Sequence, residues 1–210
     1  MGPVFPRLHL VTGVRPVQTV RAVVRAATRL DAAGRLAVQV RVEDDVSDRD
    51  AYALVLAILQ TCRSASVMCL VNDRLDVAVA ADADGAHVGA DDQPVAAARV
   101  VLGPAGVLGA TCRTPAAARS AVAAGATYLG VGPAHATSTK DGLPAPIGAT
   151  GVGAVAAAAS GTPVIAIGGV TADRVAALRS AGAHGVAVVG AIANAADPER
   201  AAEDFLAAVS

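Results

Sequence analysis

Three aspartates follow two successive short apolar runs, and carboxylates in this arrangement have a definite chemistry. Asp73 follows the run Val67–Val71, while Asp91 and Asp92 follow the run Ala86–Val88. If the runs are neighbouring parallel strands, these acids meet at one rim, where like charges repel unless a cation holds them. One or two carboxylates together with a phosphate substrate suit Mg²⁺. We therefore expect Asp73 and Asp92 to bind Mg²⁺. The alternative, favoured for Asp91, is that these acids lie in the first turns of helices.

A polar stripe alternates with valines in an earlier run. Within Ala37–Val42 and the residue that follows it, Gln39, Arg41 and Glu43 fall on one face of the predicted strand. A buried arginine is costly unless it meets an anion. Arg41 either pairs internally with Glu43 or binds an anionic ligand, and we favour the ligand because packing gives no reason for a polar inner face.

The segment after the run Thr127–Val131 is rich in groups that suit a phosphate. It contains the hydroxyl residues Thr137, Ser138 and Thr139 directly before Lys140, within a loop bounded by glycine and proline. Hydroxyl and ammonium groups donate hydrogen bonds to phosphate oxygens. The loop is therefore expected to bind a phosphate.

Glycines follow the last two apolar runs. Gly168 and Gly169 come after Pro163–Ile167, and Gly190 comes after Gly185–Val189. Without a Cβ, a glycine lets its backbone N–H approach a phosphate closely. We expect these three residues to bind a phosphate through their amides.

The elements that must position these residues repeat along the chain. Eight short apolar runs, continuous rather than alternating, are typical of parallel strands covered by helices. Alanine-, arginine- and leucine-rich stretches between them predict helices, with Thr114, Thr171 and Asp197 as N-caps and Gly125 and Gly182 as helix ends. Eight strand–helix units favour closure, so we predict an α/β fold consisting of one (β/α)₈ TIM barrel over residues 1–210. In this fold the active site lies at the carboxyl ends of the strands.

Composition excludes several function classes. The chain has 210 residues with 17 Lys+Arg and 18 Asp+Glu, so its formal net charge is −1 and no nucleic-acid surface is expected. No apolar run approaches the ~20 residues of a membrane span. The first seven residues carry no secretory or lipidation pattern, and the three cysteines, read as core residues, form no metal motif. We expect a cytoplasmic protein; the oligomeric state is left open, a homo-oligomer being one option.

Taken together, these motifs resemble the thiamine phosphate synthase family over essentially the whole chain. The matching motifs are Gln39-x-Arg41, Asn72-Asp73-Arg74-x-Asp76, Asp84-Gly85-x-His87-x-Gly89-x-x-Asp92, Gly130-x-Gly132-Pro133 with Thr137-x-Thr139-Lys140, and Ile167-Gly168-Gly169-Val170. Their combined order and spacing are specific, although no single motif is.

The resemblance implies a transferase that joins hydroxymethylpyrimidine diphosphate to a thiazole phosphate and releases diphosphate, through ionisation to a pyrimidine cation. Its implied diphosphate site has Mg²⁺ on Asp73 and Asp92, with Arg41, Asn72 and Lys140 as ligands of the diphosphate and Gln39 nearby. Arg41 and Lys140 would be the catalytic cations that stabilise the leaving group.

The implied thiazole phosphate site consists of Thr137 and Thr139 with the amides of Gly168 and Gly169. Thr111 and Gly190 stand where the family usually has serine, and both are expected to bind substrate.

One departure keeps other functions open. Glu43 occupies a position where the family usually has lysine, so an anion replaces a diphosphate-binding cation. The alternatives are a thiazole tautomerase-like isomerase, or a non-catalytic or substrate-shifted paralogue that binds a thiazole or pyrimidine phosphate. Asp73 and Asp92 speak against the tautomerase, as does Arg113, which stands where a histidine would be expected and is read as a solvated residue.

Overall fold

The structure is a computed structural model that describes residues 5–13, 15–43, 45–137 and 142–210. Eight parallel strands hydrogen-bond in chain order, and β1 also pairs with β8, so the sheet closes into a barrel. The strands are β1 (Leu8–Val11), β2 (Leu36–Val40), β3 (Met68–Asn72), β4 (Gly85–Val88), β5 (Val107–Cys112), β6 (Tyr128–Val131), β7 (Val164–Ile167) and β8 (Gly185–Val188). The predicted (β/α)₈ barrel is confirmed.

Helices follow the strands and cover the outside of the barrel. They are α1 (Pro16–Arg29), α2 (Asp48–Ser64), α3 (Leu75–Ala80), α4 (Val95–Leu102), α5 (Pro115–Ala123), α6 (Gly148–Ala158), α7 (Val175–Ser180), α8 (Gly190–Ala193) and α9 (Pro198–Ala208). Short 3₁₀ turns at Ala33–Arg35 and Ala172–Arg174 precede β2 and α7. Within the described ranges, no helix has the length and apolar character needed to cross a membrane.

Side chains alternate between two cores. One face of each strand packs against the helices in a layer that includes Leu10, Val38 and Leu129. The other face fills the barrel, where Leu70, Tyr128 and neighbouring residues form a second cluster. The continuous burial of the strands explains why the apolar runs carried no alternation.

Helix caps are mostly as predicted. The side chains of Thr114 and Asp197 accept hydrogen bonds from the backbone N–H groups of Ala117 and Arg200, at 3.2 and 3.0 Å. Gly125 and Gly182 follow their helices with φ of 99° and 112°, a region that a residue without Cβ enters at little cost.

The prediction that Thr171 caps a helix is wrong, because its side chain makes no capping hydrogen bond at the 3₁₀ turn that it precedes. Its side chain instead hydrogen-bonds to Asp173, which lowers the pKa of that carboxyl. The Thr171 hydroxyl therefore serves as a donor to a carboxylate and does not accept from the backbone of the turn.

Candidate active site

Two carboxylates face each other across Gly89, at the carboxyl ends of β3 and β4. A methyl group built on Gly89 would lie 2.9 Å from Asp92 Oδ2 and 3.9 Å from Asp73 Oδ1. The Gly89 N–H donates to Asp92 Oδ2 at 2.6 Å, and Asn72 Nδ2 donates to Asp73 Oδ2 at 2.6 Å. The structure therefore brings the two predicted metal ligands and Asn72 together.

Backbone geometry supports this arrangement. Asp73 has φ of 64°, and its N–H donates to the carbonyl of His87 at 2.8 Å, which ties the end of β3 to β4. Aspartate tolerates this left-handed conformation better than most side chains. A strained backbone held in this way occurs often at functional positions.

Helix capping does not explain these aspartates. Helix α3 begins after Arg74 and helix α4 begins after Pro94, so neither Asp73 nor Asp92 occupies an N-cap position. The prediction that Asp91 lies in the first turn of a helix is wrong. Asp91 is exposed in the loop several residues before α4. Proline at the N-cap of α4 moves the helix start beyond these acids.

Arg41 and Glu43 form an ion pair at the rim, with 2.7 Å between Arg41 Nη2 and Glu43 Oε1. Strand β2 ends at Val40, so the predicted alternation stops before these residues, which is a correction. The Arg41 side chain is 27% exposed and that of Glu43 is 71% exposed. The pair therefore lies at the barrel mouth rather than inside it, where an incoming anion can compete with the Glu43 carboxylate for Arg41.

Gln39 is the residue of this stripe that does lie inside the barrel. Its side chain is buried, with Nε2 3.0 Å from Nδ1 of His9. Thr12 supports the same end of β2, because its hydroxyl accepts from the Arg41 N–H at 2.9 Å. This hydrogen bond holds the backbone of Arg41 just beyond the end of β2.

A second buried chain of polar groups lies below the carboxylates. His87 Nε2 is 2.9 Å from Thr111 Oγ1, and His87 Nδ1 is 2.9 Å from Tyr128 Oη. Burial lowers the pKa of His87 to about 4 and raises the pKa of Tyr128. His87 is therefore a neutral, doubly hydrogen-bonded core residue, and its contact holds Thr111 at the rim.

The glycines after β7 shape the opposite side of the rim. Gly168 and Gly169 have φ of 95° and 60°, and a methyl group on Gly168 would lie 2.7 Å from Pro133 Cα. The His135 N–H donates to the Gly168 carbonyl at 3.0 Å. Because C=O and N–H of a trans peptide point in opposite directions, the Gly169 N–H points away from His135.

The remaining predicted residues of this side differ in what can be said of them. Thr137 is half-buried in the loop after β6, and Gly190 is the first residue of α8. Thr139 and Lys140 lie outside the described residues.

Two arginines on this side of the rim bind backbone carbonyls, a role that the sequence did not indicate. Arg113, expected to be solvated, donates to the carbonyls of Gly132 and Ala145 at 3.1 and 2.6 Å. Arg174 donates to the Gly169 carbonyl at 2.6 Å. Both arginines hold loop backbone in place. Their spacing carries no signal for this role, since their partners are carbonyl groups.

Comparison with known proteins identifies the family. The sequence profile described as thiamine monophosphate synthase matches residues 8–192. The chain belongs to this family.

Curated relatives and solved structures agree with the assignment. The chain is 59% identical over 141 residues to a thiamine-phosphate synthase of Salinispora arenicola and 56% identical to that of Salinispora tropica, each match covering 67% of both chains. It superposes on thiamine phosphate pyrophosphorylase from Pyrococcus furiosus with a TM-score of 0.84 and 30% identity, over 97% of this chain and 95% of the other. This member of the thiamine monophosphate synthase family is an enzyme of the transferase class.

The carboxylate pair of this family member fits a magnesium ion. Among the described residues, no three His, Cys, Asp or Glu side chains gather as a metal cage. Mg²⁺ usually takes only one or two protein carboxylates and completes its shell with water and phosphate oxygens. Asp73 and Asp92 around Gly89 provide such a pair, each already oriented by an N–H donor.

Proposed function

We propose that this chain is a thiamine phosphate synthase that couples hydroxymethylpyrimidine diphosphate to thiazole phosphate with Mg²⁺. The bond between the pyrimidine methylene carbon and the diphosphate oxygen breaks first, and its electron pair leaves with the diphosphate. The thiazole nitrogen then donates its lone pair to the methylene cation, which forms the carbon–nitrogen bond.

One observation carries the proposal: Asp73 and Asp92 converge on Gly89 at the rim where Arg41 also lies. Two carboxylates in such a small space repel each other, so the site favours a cation between them. Bound Mg²⁺ would neutralise charge on the leaving diphosphate. Arg41 and Asn72 would add hydrogen bonds to the same oxygens and stabilise the charge that develops there.

The side chains around the site favour substitution without a protein nucleophile. His87 is neutral and engaged at both ring nitrogens, so it has no free nitrogen to act as a base. Burial raises the pKa of Cys112, at the end of β5, to about 11, which keeps its thiol protonated. An ionisation mechanism needs neither group, because the leaving diphosphate departs before the thiazole attacks.

The thiazole phosphate is assigned to the glycine side of the rim. Gly168, Gly169 and Gly190 would bind it through backbone amides, with Thr137 and, from outside the described residues, Thr139 and Lys140. Lys140 would also reach the diphosphate, as the family resemblance implies. Placing the two phosphate groups on opposite sides of one rim brings the reacting methylene carbon and the thiazole nitrogen between them.

Glu43 supports a second candidate, a substrate-shifted paralogue. Its carboxylate accepts a hydrogen bond from Arg41 in the way that a phosphate oxygen would. It therefore weakens the binding of a diphosphate to Arg41. The tautomerase alternative has less support, because Arg113 is engaged by the Gly132 and Ala145 carbonyls and offers no acid–base group.

An assay with both substrates tests the proposal. Purified protein with hydroxymethylpyrimidine diphosphate, thiazole phosphate and Mg²⁺ should form thiamine phosphate and diphosphate in equal amounts, and chelation by EDTA should stop both. Binding of both substrates without product would instead indicate the paralogue. Isomerisation of a thiazole phosphate without Mg²⁺ would indicate a tautomerase.

A cytoplasmic location is part of the same proposal. The three cysteines are buried and free, as expected in a reducing compartment. Fractionation of the native host tests this, since the full-length protein should remain in the soluble fraction.

A further inference from the structure

His9 is a buried histidine that the proposed reaction does not use. It lies in β1 inside the barrel, fully shielded from solvent, with its ring centroid 5.6 Å from that of Phe5 and 5.2 Å from that of Tyr128. Its Nδ1 atom is 3.0 Å from Nε2 of Gln39. A polar ring among apolar neighbours raises the question of what this contact achieves.

The contact decides which histidine nitrogen carries the proton. Burial lowers the pKa of His9 to about 3, so the ring is neutral at physiological pH. The amide nitrogen of Gln39 can only donate a hydrogen bond. With Gln39 Nε2 as the donor, His9 Nδ1 accepts and the ring proton resides on Nε2, a buried atom that has no hydrogen-bond partner among the described residues.

The same contact orients the carboxamide of Gln39. Nitrogen and oxygen diverge from the terminal carbon of glutamine, so a nitrogen bound to His9 turns Oε1 away from it. Gln39 is level with Val11, two residues closer to the active-site rim than His9 on the neighbouring strand. Within the described residues, the Gln39 side chain makes one hydrogen bond, the contact of its Nε2 with His9. Its Oε1 therefore remains an acceptor for a ligand.

We infer that His9 is a positioning residue that holds Gln39 with its carbonyl oxygen toward the substrate, and so makes the site select a ring that donates a hydrogen bond. The inference rests on the proposed function, in which the pyrimidine carries an amino group. A ring with an oxo group in that place would set two acceptors against each other. An unsatisfied buried polar contact of this kind commonly lowers affinity about tenfold or more.

Binding of two pyrimidine diphosphates tests the inference. Calorimetry with Mg²⁺ should show that the wild type binds the amino compound at least about tenfold more tightly than the oxo analogue. His9→Phe leaves Gln39 free to rotate, so this preference should fall to about threefold or less, whereas affinity for thiazole phosphate should not change. His9→Gln, which keeps an acceptor, should restore part of the preference.

His184→Phe is the matched control. His184 also neighbours Phe5, with ring centroids 6.0 Å apart, but it binds the Phe5 carbonyl rather than Gln39. Its removal disturbs the same packing around Phe5 and should leave the preference for the amino compound intact. An equal loss in both variants would show a general packing effect and overturn the inference.

A double-mutant cycle separates positioning from structure. In a Gln39→Leu background there is no carboxamide to orient, so His9→Phe should have no further effect on the preference. Additive losses would contradict the inference.

The tautomer can be observed without turnover. In ¹⁵N-labelled wild-type protein, Nδ1 of His9 should give the chemical shift of an unprotonated nitrogen, and Nε2 that of a protonated one. The opposite tautomer would overturn the inference even if thiamine phosphate forms. Absence of product with the expected tautomer would instead contradict the proposed function and leave the orientation of Gln39 established.

Discussion

The two sides of the barrel rim use different parts of the polypeptide. At the ends of β2–β4, side chains carry the chemistry, with Arg41, Asp73 and Asp92 as the charged groups. At the ends of β7 and β8, glycines bring the backbone itself to the surface, and Gly168 and Gly169 adopt positive φ. At the ends of β2–β4, a side chain can therefore change its charge while the backbone stays the same. At the ends of β7 and β8, binding depends on the conformation of the backbone.

Glu43 and Gly169 illustrate this difference. Glu43 stands where the family resemblance leads us to expect a lysine, yet its exposed side chain fits without disturbing the fold. A methyl group on Gly169 would meet the Ala136 carbonyl and lie 2.8 Å from His135 Cβ. Substitution on the first side should change affinity, and on the second side it should change structure as well.

The largest effect is expected from the carboxylates. Asp73→Asn and Asp92→Asn should each lower kcat/KM by about 10²- to 10³-fold, because each removes a negative charge from the cation site. Thermal stability should be unchanged or slightly higher, since repulsion between the carboxylates is relieved.

Asp91→Asn is the matched control, since this exposed neighbour does not face Gly89. Steady-state kinetics over a Mg²⁺ series, with melting curves for each variant, checks the prediction. Wild-type kinetics in either site variant would remove that residue from the metal site.

The glycine side should respond through the fold. Gly169→Ala should destabilise the protein by about 2–4 kcal/mol, from a positive φ and from contact with the loop after β6. Thiazole phosphate binding should weaken with it, while pyrimidine diphosphate binding changes less. Urea unfolding and calorimetry measure the two effects.

Gly161→Ala provides the comparison for backbone strain alone, because Gly161 has φ of 85° and no atom near an added methyl group. It should cost about 1 kcal/mol and leave binding intact. Equal effects at both glycines would show that close packing at Gly169 is unimportant.

Stability should fall in mild acid because of the histidine beneath the carboxylates. His87 has a folded-state pKa of about 4, below the 6.5 of an unfolded histidine. Between these values the unfolded chain binds more protons, so the free energy of unfolding decreases as pH falls from 6.5 toward 4, by on the order of 2–3 kcal/mol. His9 adds a loss of the same sign.

Urea unfolding at several pH values measures this slope. His87→Gln should flatten it. A slope that survives His87→Gln at full size would mean that His87 is charged or exposed in the folded protein.

The smallest effect is expected at Glu43. Glu43→Gln should tighten pyrimidine diphosphate binding two- to tenfold, because it removes the anion that competes for Arg41 at an exposed pair. Glu43→Lys should tighten it further, and Asp45→Asn, a nearby exposed carboxylate, should have no effect. Calorimetry at two salt concentrations checks this, since screening should shrink the gain.

Turnover of Glu43→Lys separates the candidate functions. An inactive wild type restored by lysine would identify a substrate-shifted paralogue. A wild type that is faster than the lysine variant would give Glu43 a positive role in catalysis.

The strands and the identities of the rim residues follow from the amino-acid sequence, whereas the orientation of some side chains does not. The pattern of alternation suggested that Glu43 faces the barrel interior, and this was wrong because β2 ends at Val40. Arg113 was read as solvated, although two backbone carbonyls far along the chain bind it. The end of a strand and the distant partners of Arg113 are both set by tertiary contacts, which local spacing does not report.

The amino-acid sequence by itself determined the periodic strand–helix pattern and the chemical character of each strand end, because both depend on residues close together in the chain. Only the tertiary structure decided which groups meet. Asp73 and Asp92 face each other because β3 and β4 pair in one register, and His9 reaches Gln39 because β1 and β2 do. These contacts join residues that are separated by about 20 to 30 positions in sequence, and parallel pairing of neighbouring strands brings them together.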